Sequence, residues 1–144
     1  MALTFNAPDT NILDAYTSLC DYDFDTFKII LLNAYTFDAN HDELADVSSF
    51  EIATGNGYTQ QLKELTSVFV GQTGGTFVFD AANVVWTATG GSIGPTTDAE
   101  VYDDTSTGDR LIFNLDFGAS ETAGDGSNFQ INWNASGIFT GAFS

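Results

Sequence analysis

The chain has 144 residues, with 20 Asp and Glu against 3 Lys and Arg and a single His, for a formal net charge of −17 at pH 7. Sequence-independent binding to DNA, RNA or anionic membranes draws on Lys and Arg displacing counterions, and only Lys28, Lys63 and Arg110 could serve, so those function classes fall away. A hydrophobic fraction of 43% with 13 Phe supports a packed core, and the length suits one β-rich domain over residues 1–144.

In chain order, Ile12, Leu13, Tyr16, Leu19 and Cys20 fall at helical spacing behind Asp9 and Thr10, which predicts one short helix over 9–20. The acidic stretch 21–25 leads into Thr26-Phe27-Lys28-Ile29-Ile30-Leu31-Leu32, whose β-branched and aromatic content predicts a buried central strand. Residues 33–60 read as a long excursion, with a turn of helix at His41-Asp42-Glu43-Leu44 and a tight turn at Gly55-Asn56-Gly57. Strands are predicted at Leu65–Val70, Thr76–Asp80, Asn83–Ala88 and Leu111–Phe117, then at Phe129–Trp133 and Gly137–Thr140. In the fourth of these, alternation sends Leu111, Phe113, Leu115 and Phe117 one way and Arg110, Ile112, Asn114 and Asp116 the other. Thr89–Pro95 reads as a glycine turn. The expected fold is mainly β, an antiparallel β-sandwich or small barrel with one short N-terminal helix.

Residues for chemistry are few. With Cys20 alone no intrachain disulfide can form, and the opening MALTFNAPDTN has no secretory character, so synthesis in the cytoplasm is expected. No apolar run reaches the ~18 residues of a membrane span. Cys20 with His41 would be the only thiol-imidazole pair, but a lone Cys at an apolar helical position reads as core. Asp21, Asp23 and Asp25 open like a calcium loop, yet Thr26 and Leu32 stand where that loop needs Gly and Glu. Asp103, Asp104 and Asp109 read as a solvated hairpin tip, and Trp86 and Trp133 as core rather than sugar platforms. Asn134-Ala135-Ser136 reads as a turn. Catalytic residues, cofactors and metal ligands are therefore not assigned. The aromatic residues of the excursion, Tyr35, Phe37, Phe50 and Tyr58, are the interface candidates.

Three segments taken in order are Asp25–Leu31, Gly55-Asn56-Gly57-Tyr58-Thr59, and Phe79-Asp80-Ala81-Ala82-Asn83-Val84-Val85-Trp86 running on to Gly94-Pro95. With Val101–Thr105, Leu111-Ile112 and Asp116-Phe117-Gly118, they resemble a family of small tailed-bacteriophage and prophage virion proteins over roughly residues 25–140. Two places depart from that family: Gln60-Gln61-Leu62 replaces its usual Ala-Gly-Gly, and Thr96-Thr97-Asp98-Ala99-Glu100 replaces an apolar strand before Tyr102. The resemblance implies a non-enzymatic virion structural protein, foremost a capsid decoration or cement protein on the outer capsid surface. Its partners would be the major capsid protein and copies of itself as a homotrimer, with neither nucleic acid nor membrane. The alternatives are a neck, tail or fibre adaptor and, from another class, a carbohydrate-binding β-sandwich.

Overall fold

The computed structural model describes residues 4–142. Its elements are β1 (Thr4–Asn6), α1 (Asn11–Tyr16), β2 (Phe27–Leu32), α2 (Leu44–Val47), β3 (Phe69–Thr73), β4 (Thr76–Asp80), β5 (Val84–Thr87), β6 (Ile93–Asp103), β7 (Leu111–Ala123), β8 (Asn128–Ile131) and β9 (Phe139–Ala142). All paired strands run antiparallel, in a four-stranded sheet β1-β7-β6-β2, a three-stranded sheet β3-β4-β9 and a β5-β8 ribbon. The fold is mainly β and sandwich-like, as the strand pattern predicts.

The large sheet is buried on both faces. One face presents Phe27, Ile29 and Leu31 of β2, Ala99 and Val101 of β6, and Phe113, Leu115 and Phe117 of β7. These join Phe79, Trp86, Phe129, Ile131, Trp133 and Ile138 from the smaller sheets and their connections in the main core. The other face presents Ile30, Leu32, Tyr102 and Leu111 to Tyr35, Leu44 and Val47 of the 33–50 segment, with Phe37 and Phe50 packed alongside. A strand covered on both faces has no reason to alternate, which is why Ile29-Ile30-Leu31-Leu32 is a continuous apolar run. Each such side chain contributes about 1.5–3 kcal/mol on full burial.

Several boundaries differ from the sequence expectation. The first helix ends at Tyr16, because Ser18 turns left-handed at φ 60° and the amides of Leu19 and Cys20 fold back onto the carbonyl of Asp14. The side chains of Ile12 and Tyr16 lie outside the described residues. The helical turn begins at Leu44, one reciprocal box of Glu43 and Asp46 side chains capping it. The run from Leu65 is interrupted at Ser67, φ 53°, so β3 starts only at Phe69, while Leu65 bonds the carbonyl of Phe27 and fills the core. In β7 the even alternation breaks at Ile112. Val101 pairs with Phe113 but Tyr102 with Leu111, so Ile112 is an extra residue that rotates Leu111 onto the second face.

The largest difference is β6, an 11-residue strand through a segment read as a glycine turn and a polar insertion. It passes through Gly94-Pro95 because the register shifts between Ile93 and Thr96, where exposed Pro95 takes no place in the regular ladder. Its polar residues Asp98 and Glu100 lie on the second face beside Tyr102.

The turn at Gly55-Asn56-Gly57 forms as expected, closed by reciprocal bonds between Gly55 and Tyr58 at 2.9 Å. Gly57 sits at φ +94°, and a Cβ there would collide with the carbonyl oxygen of Thr87 at the end of β5. Gly57→Ala is therefore expected to cost about 2–4 kcal/mol in urea unfolding, by left-handed strain and loss of the docked turn. Gly124→Ala, where a Cβ meets open space, serves as the control and should leave the midpoint nearly unchanged.

Candidate functional site

A pocket of about 540 Å³ opens on the second face of the large sheet. Asn6 of β1, Tyr35, Thr36 and Phe37 of the excursion, Thr97 and Asp98 of β6, and Asp116 and Gly118–Ser120 of β7 line it. Its shape comes from a strand irregularity. Between the pairs Thr96↔Glu121 and Asp98↔Asp116, β6 advances two residues and β7 five. The surplus on β7 bows out as the pocket wall, turned by Gly118 at φ 72° and pinned by the Gly118 amide donating to Asp116 Oδ1 at 2.7 Å. Bulges that re-aim side chains in this way recur at functional sites.

Asp98 and Asp116 face each other across β6 and β7, and like charges directly opposite on adjacent strands are unfavourable. Asp98 is 3% exposed, and burial, with the neighbouring Asp116 charge adding to it, raises its pKa above the ordinary carboxylate value. One pair further along the same face stands Glu100 opposite Asn114. Glu100 is 1% exposed, neither of its carboxyl oxygens has a hydrogen-bond partner, and Asn114 Oδ1 is likewise unpartnered. Asn114 lies close enough to ease the Glu100 charge, but its amide reaches the Ala99 carbonyl at 3.5 Å instead. Burial lifts the Glu100 pKa to about 8, so the group holds its proton through most of the neutral range. Glu51, by contrast, is buried but satisfied, accepting from Tyr58 Oη at 2.7 Å and from the Gln61 amide at 2.9 Å.

The four aromatic interface candidates divide between pocket and core. Tyr35 and Phe37 both line the pocket. Tyr35 is mostly buried, its hydroxyl 3.1 Å from His41 Nδ1 and its ring edge-on to Phe50 at 5.2 Å. Phe50 is half-buried within the second cluster. Tyr58 is a core residue whose hydroxyl accepts from the Leu31 amide while donating to Glu51.

Cys20 and His41 are not brought together as a pair. Cys20 lies in the main core near Asp103 and Asp14, and burial with those carboxylates pushes its thiol up to about 12, which leaves no nucleophilic thiolate at neutral pH. The Asp21-Asp23-Asp25 loop bonds its own amides, Asp21 N–H to Asp25 Oδ2 at 2.6 Å and Asp23 N–H to Asp21 Oδ1 at 3.1 Å. Among the described residues, no group of three or more His, Cys, Asp or Glu is placed to hold a metal ion. Asp103, expected at a solvated tip, is fully buried and accepts from the Thr105 and Ser106 amides, its pKa raised to about 6 by burial and by Asp25. The Asn134 turn forms, with Oδ1 accepting from the Ser136 amide at 2.9 Å. Trp86 and Trp133 are 5% and 9% exposed, and Trp133 Nε1 donates to the Ala82 carbonyl, so neither presents a face to a sugar.

The three Lys and Arg side chains are all engaged within the domain. Lys28 pairs with Asp104 at 2.6 Å. Lys63 donates to the Val85 carbonyl at 2.6 Å and lies over Trp86, 5.5 Å from the ring centroid. Arg110 joins Asp42 at 2.8 Å, Glu43 at 3.5 Å and Asp14 at 3.8 Å. The exterior is left strongly anionic. No protein-family model, curated protein or solved structure matches the chain. No helix among the described residues is long and apolar enough to cross a membrane.

Sequence reasoning missed the pocket because Asp98 and Glu100 look like loop residues. The available signal was Ala99-Glu100-Val101-Tyr102, in which small and large apolar residues alternate with a carboxylate.

Proposed function

We propose that this chain is a non-enzymatic structural protein of a tailed-phage particle, a capsid decoration that binds the assembled shell and stabilises it. The observation that carries the reading is a β-sandwich whose Lys and Arg all bond inward, leaving an anionic exterior. Free copies repel one another and stay soluble, while a basic shell surface attracts them. Binding only the assembled state stabilises that state by mass action. Placement as a homotrimer on the outer shell, with the major capsid protein as partner, belongs to the same proposal.

The test is the copy number per purified particle relative to the major shell protein, by quantitative mass spectrometry. A ratio near that of the shell protein is expected. A handful of copies would move the chain to a neck, tail or fibre position. Absence from particles would overturn the virion reading and give weight to a catalyst, which one geometry favours. Asp98, with its raised pKa, faces Asp116 in the same pocket, and paired carboxylates of this kind serve acid/base hydrolysis of glycosides. Sugar binding through tryptophan draws no support, since both indoles are buried.

A further inference from the structure

We propose that the pocket between β6, β7 and the 33–37 segment receives an arginine side chain from a partner protein. It names an entry point for the virion reading above and rests on that reading only for the source of the arginine.

The pocket's polar side carries a facing pair of carboxylates. Asp98 and Asp116 line it in direct opposition, beside Thr36, Thr97 and Ser120. Glu100 leaves β6 on the same face as Asp98, two residues on, so a third carboxyl is buried behind the pair. Facing carboxylates call for a cation. The chain brings no Lys or Arg to them, because Lys28, Lys63 and Arg110 are each bonded elsewhere. The cation comes from outside.

The other walls select its kind. Tyr35 and Phe37 line the pocket beside the carboxylates, and a guanidinium both stacks on aromatic rings and donates through a planar fork to carboxylates. An ammonium is a compact, strongly hydrated point charge and matches this combination less well. A divalent ion would want more oxygen ligands than the two carboxylates supply.

The full chain, labelled with nitrogen-15, is titrated at constant ionic strength with acetyl-Gly-Arg-Gly-amide, its Lys and Gln counterparts, and calcium chloride. Saturable shifts from the Arg peptide are expected at residues 35–37, 97–98 and 116–120, with weaker shifts from Lys and none from Gln. Asp116→Asn, at an exposed side chain, should weaken the Arg peptide at least about tenfold, and Phe37→Leu several-fold. Shifts spread over all acidic loops and unchanged in Asp116→Asn would overturn the proposal, as would no response, or a localised response to calcium in place of arginine. Copy number tests the virion reading and this titration tests the pocket, so either can fail alone.

Discussion

Glu100→Gln is expected to make the protein more stable at pH 8 and to flatten the dependence of its stability on pH. Glu100 is buried between Ile30 and Asn114, its carboxyl oxygens unpartnered, with a folded pKa of about 8 against an ordinary 4.5. Below pH 4.5 the side chain is protonated in folded and unfolded chains alike, and its burial carries no ionisation cost. As pH rises from there, the unfolded chain releases the proton while the folded one retains it, so stability falls. Above pH 8 the folded group ionises too and the loss levels off. The full window corresponds to a contribution on the order of 4–5 kcal/mol. A glutamine keeps the shape, does not ionise, and brings an amide that can donate toward Asn114 Oδ1. Urea unfolding of both proteins at pH 5 and pH 8 reads the effect. The wild-type chain should lose at least ~2 kcal/mol more than the variant between those values. Equal losses would mean that Glu100 ionises freely in the folded state. Asp98 and Asp103, whose pKa values are also raised by burial, act in the same direction and leave the variant a residual slope.

The second large effect is expected at Arg110. Its guanidinium ties the hairpin between β6 and β7 to Asp42 and Glu43, beside α2, and to Asp14 of α1. Asp14 is 3% exposed, and its Oδ2, 3.8 Å from Arg110 Nε, has no hydrogen bond. Arg110→Met keeps much of the aliphatic stem but leaves that carboxylate buried without its counter-charge. Removing one partner of a buried pair costs about 3–5 kcal/mol, and the partial exposure of Arg110 places this case nearer 2–4. Adding Asp14→Asn to Arg110→Met should recover ~1 kcal/mol or more, because the stranded charge is gone. If the double variant is no more stable than the single one, the loss comes from the Asp42 and Glu43 contacts.

What the sequence makes legible here follows from where burial is one-sided. Thr76–Asp80 matches β4 and the apolar run of β2 is evident, since hydrophobic composition marks both. The second half of β7 is hidden because Gly118–Thr122 is small or polar and mostly exposed, held as strand by its neighbours and not by its own side chains. β6 is hidden for the opposite reason. Its carboxylates are buried, which composition assigns to loops, and only the partner strands β2 and β7 reveal that Asp98 and Glu100 are inside. The pocket inherits that invisibility, as its carboxylates come from β6 and β7 and its aromatic wall from residue 35 onward, far apart in the chain. Of the excursion's aromatics, Tyr58 shows how a loop residue becomes core when its hydroxyl has a buried carboxylate to reach.

The inward placement of Lys28, Lys63 and Arg110 also governs how the protein meets proteases. Trypsin needs an extended, accessible backbone after a basic residue. Lys28 lies inside β2, Lys63 is held over Trp86, and Arg110 is clamped at the start of β7. The folded protein should therefore survive trypsin, and even after unfolding it yields only four long fragments. Glutamyl or aspartyl endoproteases, meeting exposed acidic loops such as 21–25, will be the reagents that open it.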